Sequence, residues 1–381
     1  MKGEATSPRK RGSSGEGPSP RRRGSSETHS ALDDGSVDVV ETDASFDRVN
    51  DYFYERGWTD GLPIVPPTEA RVQAMLAGMA WRAADEVIGI VPPRMGNASL
   101  RRIAVNAVMA GCRPEYLPVV VAALEAVSDP KYGLSHRQTT THAGAPLIIV
   151  NGPIVQRLRI NCGRGLFGPG WRANATIGRA LRLVLVNIGG AGPGVDASQT
   201  GHPGKYTYCI GEYESANPWE PLHVERGFAR EDNVVTVVNT EAPHSMTENI
   251  QTDPHEIVRT FASCMATLGV NNLYSQGNPV LVLGVEHAQH IAAAGWSKQD
   301  LQRELFERAR QPWGLMKNRG KSKGPRFPES VDRTDDSSMV PIVWEPRDLL
   351  VVVGGGAGGK SMFLPTAGGQ SLAVCRRIET E

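Results

Sequence analysis

Apolar residues recur at two different periods along this chain, and the alternation between those periods outlines its elements. Phe46, Val49 and Phe53 fall at helical spacing and mark where order is expected to begin. The next stretch, 57–68, reads Gly-Trp-Thr-Asp-Gly-Leu-Pro-Ile-Val-Pro-Pro-Thr. It is expected to be extended and turn-rich, because each proline biases its predecessor away from helix. Thr68 is placed to cap a helix running to about Ala77, with Gly78 at its end. Leu100, Ile103, Ala104, Ala107 and Val108 share one face of a helix predicted over 98–110 and closed by Gly111. Pro114 opens another, carrying Leu117, Val121, Leu124 and Val127. Residues 171–188 return to helical period through Ile177, Leu181, Val184, Leu185 and Ile188.

Short apolar runs at 145–150, 234–238, 280–283 and 349–353 read as buried strands. Between them, Asp253-Pro254-His255-Glu256 is a clear helix start. Further helices are predicted over 285–294 and 298–310, the latter capped by Ser297. Strands alternating with helices predict an α/β protein, with mixed or parallel sheets flanked by helices in one large or two medium domains. The expected division is a tail over 1–45, an N-terminal α/β domain over 46–195, and a C-terminal α/β domain over 196–381. The second domain would carry a long polar surface loop at about 312–339.

Composition narrows the function. Residues 1–45 are mostly Ser, Gly, Pro, Arg and Glu, with the octet Ser7–Ser14 nearly repeated at Ser19–Ser26. Such a segment buries too little apolar surface to offset its ordering entropy, so disorder is expected there. The whole chain balances 41 basic against 41 acidic residues, which argues against nucleic acid or an anionic membrane as the main partner. No apolar run suits a membrane span or a signal peptide, and five dispersed cysteines fit reduced thiols. A cytoplasmic location and an oligomeric state are expected.

Two glycine runs invite a nucleotide reading and then resist it. Gly354–Ser361 matches the phosphate-loop formula after a strand, but Pro365 and Gly368-Gly369 follow where a helix is required. Gly189–Gly194 misses the dinucleotide spacing. A nucleotide cofactor is therefore not expected, and Lys360 and Ser361 are kept only as edge residues for a small ligand.

Chemistry concentrates in the segment from Gly201 to Glu214. On a strand starting at Lys205, the side chains of Lys205, Thr207 and Cys209 share a face, with His202 just before it. That grouping can lower a thiol pKa or bind an anion, although a half-buried strand with a structural cysteine is the plainer reading. Arg172, Arg179 and Arg182 lie on one helical stripe suited to a carboxylate or phosphate, and Thr141 adds a hydroxyl. Asp60 and Glu115 are acid/base candidates. His287 and His290, three apart on a helix, could join His202 and His223 around a divalent metal.

Several strings together carry a resemblance: residues 57–68, 106–118, Gly168–Arg179, and Gly201-His-Pro-Gly-Lys205. They resemble a bacterial family associated with small UGSC-type (seleno)proteins, whose motif is selenocysteine or cysteine followed by Gly-Ser-Cys. The resemblance spans most of residues 46–375. This chain has no Cys-Gly-Ser-Cys. The resemblance therefore implies a two-component thiol- or selenol-dependent enzyme, an oxidoreductase or lyase, with the redox pair on a small partner protein. This chain would then supply the pocket for a small, anionic substrate, with His202, Lys205 and Cys209 near the chemistry and Arg172 and Arg179 on the anion. A metal-dependent hydrolase or lyase and a non-catalytic binding subunit are the alternatives.

Overall fold

A computed structural model describes residues 45–324, 327–366 and 371–380. The expectations for residues 1–44 lie outside the described residues. In chain order the strands are β1 (Val87–Val91), β2 (Gly96–Ser99), β3 (Ala145–Asn151), β4 (Cys209–Gly211), β5 (Val234–Thr240) and β6 (His244–Thr247). They continue with β7 (Val280–Leu283), β8 (Arg310–Pro312), β9 (Met339–Pro341), β10 (Leu350–Val353), β11 (Lys360–Leu364) and β12 (Val374–Arg377). The helices begin with α1 (Phe46–Glu55), α2 (Glu69–Leu76), α3 (Leu100–Ala110), α4 (Leu117–Ser128), α5 (Leu134–Gln138) and α6 (Ile154–Arg157). After them come α7 (Arg172–Asn187), α8 (Leu222–Glu225), α9 (Pro254–Met265), α10 (Val285–Ala293), α11 (Lys298–Arg308) and α12 (Trp313–Met316).

The period-2 alternation of the strands sorts them into layers. One sheet has the order β12-β5-β3-β4 and the other β10-β7-β11-β6, each mixing parallel and antiparallel pairs. Leu147, Ile149, Ile210 and Val238 on one face of the first sheet form a shared core with Val280, Val282, Leu350, Val352 and Leu364 of the second. The opposite face of the first sheet, with Ile148, Val150, Val235 and Val237, packs on α3, α4 and α7. Leu281, Leu283, Val351 and Phe363 of the second pack on α9, α10 and α11. The result is a four-layer α/β sandwich, helices outside and two sheets inside. Strands covered on both faces are apolar throughout, which is why their sequences read as continuous runs.

Several helix ends follow the sequence signals, whereas the Thr68 side chain does not cap α2, which ends at Leu76 and runs into a 3-10 turn containing Gly78. The Ser99 hydroxyl accepts from the Arg102 N–H at the start of α3, and Gly111 ends that helix at φ +86°. Asp253 caps α9 through the His255 N–H, and Ser297 and Asp300 form a capping box on α11. A β-carbon on Gly178 would come within 2.5 Å of Thr207 Oγ1 and the Tyr208 amide. Glycine there lets α7 lie directly on the segment that leads into β4.

Two expectations are corrected. Residue 195 does not divide the architecture, because β3 shares its sheet with β4, β5 and β12 from beyond it. Only that sheet draws on both sides of residue 195: α3, α4 and α7 come from before it, and the second sheet with α9, α10 and α11 comes wholly from beyond it. The stretch at 312–339, expected as a long polar surface loop, opens with α12, whose Trp313 and Met316 are buried, and Val331 is buried farther on. Among the described residues no helix is long and apolar enough to cross a membrane.

Candidate functional site

Most residues singled out from the sequence are committed to holding the fold. Arg179 makes a two-pronged ion pair with Asp60, its Nε 2.7 Å from Oδ2 and its NH2 2.8 Å from Oδ1, and also donates to the Pro63 carbonyl at 2.9 Å. This pair fastens the extended segment after α1 to α7, and it removes Asp60 as an acid/base and Arg179 as an anion receptor. Arg172 donates at 2.9 Å and 3.1 Å to the Gly111 carbonyl, closing the C-terminus of α3. Glu115 lies at the surface 3.7 Å from Arg113. Asn187 Nδ2 bonds Asn106 Oδ1 at 2.7 Å and the Trp58 carbonyl at 3.1 Å. The strings that carry the family resemblance thus meet one another as structural ties.

The His202–Cys209 grouping is also corrected. Pro203–Lys205 is a single 3-10 turn, and the strand starts only at Cys209. Lys205 Nζ sits 2.6 Å from Asp196 Oδ2, which Arg182 shares at 3.0 Å. Burial alone would raise the Asp196 carboxyl, but Lys205, the Ser198 N–H and Arg182 hold it below the usual range. His202 accepts from the Gly204 N–H at 3.0 Å through Nδ1 and meets the Thr240 carbonyl at 3.2 Å through Nε2. Burial lowers its pKa, and a neutral ring with the proton on Nε2 satisfies both contacts. Cys209 is buried, and burial pushes its thiol far above the ordinary range.

The histidines expected around a metal lie apart. His287 is buried between Ser361 Oγ and the Glu248 carbonyl, each at 2.8 Å, so both ring nitrogens are used. His223 is buried with Nε2 3.3 Å from the Arg230 carbonyl, and His290 lies 3.9 Å from Glu286. Among the described residues no three His, Cys, Asp or Glu side chains are arranged to hold a metal ion. Ser361 is buried and accepts from the Gly284 N–H, and Lys360 reaches Asn249 Oδ1 at 3.3 Å. The glycine run links β10 to β11 without a helix, and the Gly358 and Gly359 amides both donate at 2.8 Å to Glu286. An internal carboxylate occupies the place that the phosphate-loop formula reserves for a ligand.

Among the described residues two buried imidazole nitrogens lack a partner, His223 Nδ1, 3.9 Å from Glu214, and His142 Nδ1, which belongs to a further polar cluster. It forms where the end of β5 meets the start of β3, at the paired residues Thr240 and Ala145. Glu241, immediately after β5, donates its N–H to the Pro365 carbonyl at 2.8 Å and accepts from the Tyr208 hydroxyl at 2.9 Å. Those backbone ties aim its carboxylate at His142, whose Nε2 is 3.2 Å away. His142 lies on the turn between α5 and β3, where its N–H bonds Thr140 Oγ1 at 3.1 Å and the Thr141 carbonyl accepts from Gln199 at 3.0 Å. The Thr141 side chain itself is exposed. The other ring nitrogen, Nδ1, is shielded from solvent and has no partner, and neither has the buried Thr240 hydroxyl. The side chains of His142 and Glu241 remain 22% and 32% exposed, while Nδ1 itself is shielded.

One cation is linked to this cluster through Asn271. Lys321 Nζ donates at 2.8 Å to Asn271 Oδ1, and Asn271 Nδ2 bonds the carbonyl of Thr366, which bridges to Thr240. Burial lowers the Lys321 pKa, with Glu241 opposing and Arg137 reinforcing the shift. Arg137 is itself lowered by burial and lies near the Tyr132 hydroxyl, a buried group without a partner. Of this cluster the sequence pointed only to Thr141, next to His142, and to the loop that holds Lys321. Positions 142, 241 and 321 follow no local spacing.

No family model matches the chain, and no curated protein matches it in sequence.

Proposed function

We propose that this chain is an enzyme acting on a small anionic molecule, with the Glu241–His142 pair transferring the proton. The observation that carries the reading is the arrangement of the imidazole, with Nε2 against a carboxylate and Nδ1 shielded but unpartnered. A carboxylate fixes the tautomer and stabilises the charged ring, leaving the second nitrogen to exchange a proton with a substrate. Lys321, within electrostatic reach of Glu241, supplies positive charge for an anion.

Thiol or selenol chemistry, which the UGSC resemblance implies, would draw its sulfur or selenium from a separate small protein. Burial pushes the Cys112 thiol up to about 12 and raises Cys209, Cys162 and Cys375 as well, so these cysteines are poor thiolate sources. The division of labour is then a pocket with proton transfer on this chain and the redox group on its partner. A lyase or oxidoreductase fits that division.

The test is untargeted mass spectrometry of a small-molecule extract incubated with the protein, alone and with added dithiothreitol. The native chain is expected to consume at least one small anion. His142→Asn and Glu241→Gln should slow that consumption about 10²- to 10⁴-fold, the range of general acid–base catalysis, with melting temperatures unchanged. An His142→Asn variant as active as the native chain would overturn the reading. Tight, stoichiometric retention of an anion without turnover would replace it with the binding-subunit alternative.

A further inference from the structure

A cavity of about 320 Å³ opens where the C-terminal half of α9 faces the end of α11 and the start of β8. Arg259, Ala262, Ser263 and Ala266 recur at helical spacing along α9 and the residue after it, so they share the face that lines the space. Ala262 and Ala266 are buried and too small to fill it. Arg308 comes from the last turn of α11, and Arg310 and Gln311 come from β8. Among the described residues that line the cavity, three carry a positive charge and none a negative one. Its volume is that of a small-molecule site.

Each guanidinium is anchored from one side. Arg308 spends its Nε on Glu304, and Arg259 NH1 lies 3.2 Å from Glu256 Oε2. Arg310 donates its Nε to the Phe306 carbonyl at 2.9 Å and its NH2 to Glu307 at 3.1 Å, and it lies over the Phe306 ring, 4.5 Å from the centroid. None of these three glutamates lines the cavity. A guanidinium carries five N–H donors in a rigid fork, so these bonds orient the groups without exhausting them. Both terminal nitrogens of Arg308, NH1 of Arg310, and Nε and NH2 of Arg259 keep donors for a ligand. Gln311 donates its Nε2 to the Ala266 carbonyl at 2.6 Å, which covers an oxygen at the end of α9 that would repel an anion. The exposed Ser263 hydroxyl adds a further donor.

We propose that this cavity binds the phosphate group of a small phosphorylated molecule, on residues separate from the Glu241–His142 cluster. A carboxylate has two oxygens and is satisfied by one guanidinium fork. A phosphate monoester presents three terminal oxygens and close to two negative charges, one oxygen for each arginine. The inference does not rest on the reading of Glu241 and His142 as the proton-transfer pair.

The test is calorimetric titration of the full chain with inorganic phosphate at low salt, repeated with acetate. Saturable binding of phosphate is expected, with acetate at least about tenfold weaker. Arg308→Gln and Arg310→Gln should each weaken phosphate binding at least about tenfold, the loss of one charge-assisted hydrogen bond. Arg308 is exposed, so its variant keeps the test decisive if Arg310→Gln, which gives up its packing on Phe306, fails to fold. Arg303→Gln, on the same helix and paired with Asp300, should leave the affinity unchanged. No saturable binding, equal binding of acetate, or an equal loss in Arg303→Gln would overturn the proposal. So would phosphate binding that survives both cavity substitutions and falls in Lys321→Gln, because the anion would then sit at the Glu241–His142 cluster.

Discussion

Two carboxylates, Glu212 and Glu241, stand just past the ends of strands in the same sheet, and their surroundings differ completely. Glu212 follows β4 and is buried, and it accepts from Asn151 Nδ2 at 2.7 Å, the Leu222 N–H at 2.8 Å, Asn217 Nδ2 at 2.9 Å and the Val353 N–H at 3.4 Å. Burial raises its pKa, while Lys298 and these donors favour the charged form. Every lone pair is spent on the protein, and the carboxylate ties β4, α8 and the end of β10 together. Glu241 spends its backbone on the fold and leaves its carboxylate to His142, with an open imidazole nitrogen beyond. A dense polar cluster is therefore no sign of a site. What separates the two carboxylates is their partners, amide and backbone donors on all sides of Glu212 and an imidazole against Glu241. Unpartnered buried atoms occur in both regions, at Asn151 Oδ1 and His223 Nδ1 and at His142 Nδ1.

The sharpest way to break this contrast is to remove each carboxylate. Glu212→Ala leaves the Leu222 and Val353 N–H groups and Asn217 Nδ2 without this acceptor, Asn151 Nδ2 keeping Glu214, and should cost about 3–5 kcal/mol, the range for breaking a buried charged network. Chemical denaturation measures it, and a loss as small as that of a surface substitution would show that Glu212 is no structural tie. Glu241→Gln should leave stability nearly unchanged while removing activity. Next in size is Arg179→Ala, which strands the shielded Asp60 and should cost about 3 kcal/mol. An equal loss in Asp60→Asn, with no further loss in the double variant, would identify the pair as one unit, whereas additive losses would contradict that.

Periodicity explains how far the sequence could be read. The stripes Ile103/Ala107 and Ile177/Leu181/Val184 each run over several turns, so α3 and α7 were legible, with Ser99 and Gly111 marking the ends of α3. The segment Lys205–Cys209 matched a strand over only five residues. That window is too short to compete with Pro203, whose fixed φ starts a turn. Helical spacing also placed Arg172 and Arg179 correctly on one helix. It could not reveal that their partners, the Gly111 carbonyl and Asp60, lie 61 and 119 residues away. The open cluster was the least legible part, since residues 142, 241 and 321 are joined only by the pairing of β3 with β5 and the Asn271–Thr366 platform.

Smaller effects refine the same contrast. Cys112 and Cys209 should resist a thiol reagent in the native protein at pH 8 and react once it is unfolded, because burial suppresses their thiolates. Rapid native labelling of Cys209 would contradict its assignment as core. The smallest expected effect is on acid stability. His202 and His287 both have folded pKa values lowered by burial. The unfolded chain then binds more protons than the folded chain below about pH 6.5, so stability falls with pH through that window and levels off below the folded pKa values. Melting temperatures from pH 7.5 to 5 should show this limb, and His202→Gln should flatten it; an unchanged slope would contradict the neutral assignment of His202.

The most direct test of the open pair is the nitrogen-15 spectrum of the His142 ring, assigned by comparison with His142→Asn. The account predicts that the neutral ring carries its proton on Nε2, facing Glu241, with a bare Nδ1 that shifts when a small anionic substrate binds, and that Glu241→Gln perturbs both signals. A ring protonated on Nδ1, with signals indifferent to Glu241→Gln, would contradict it.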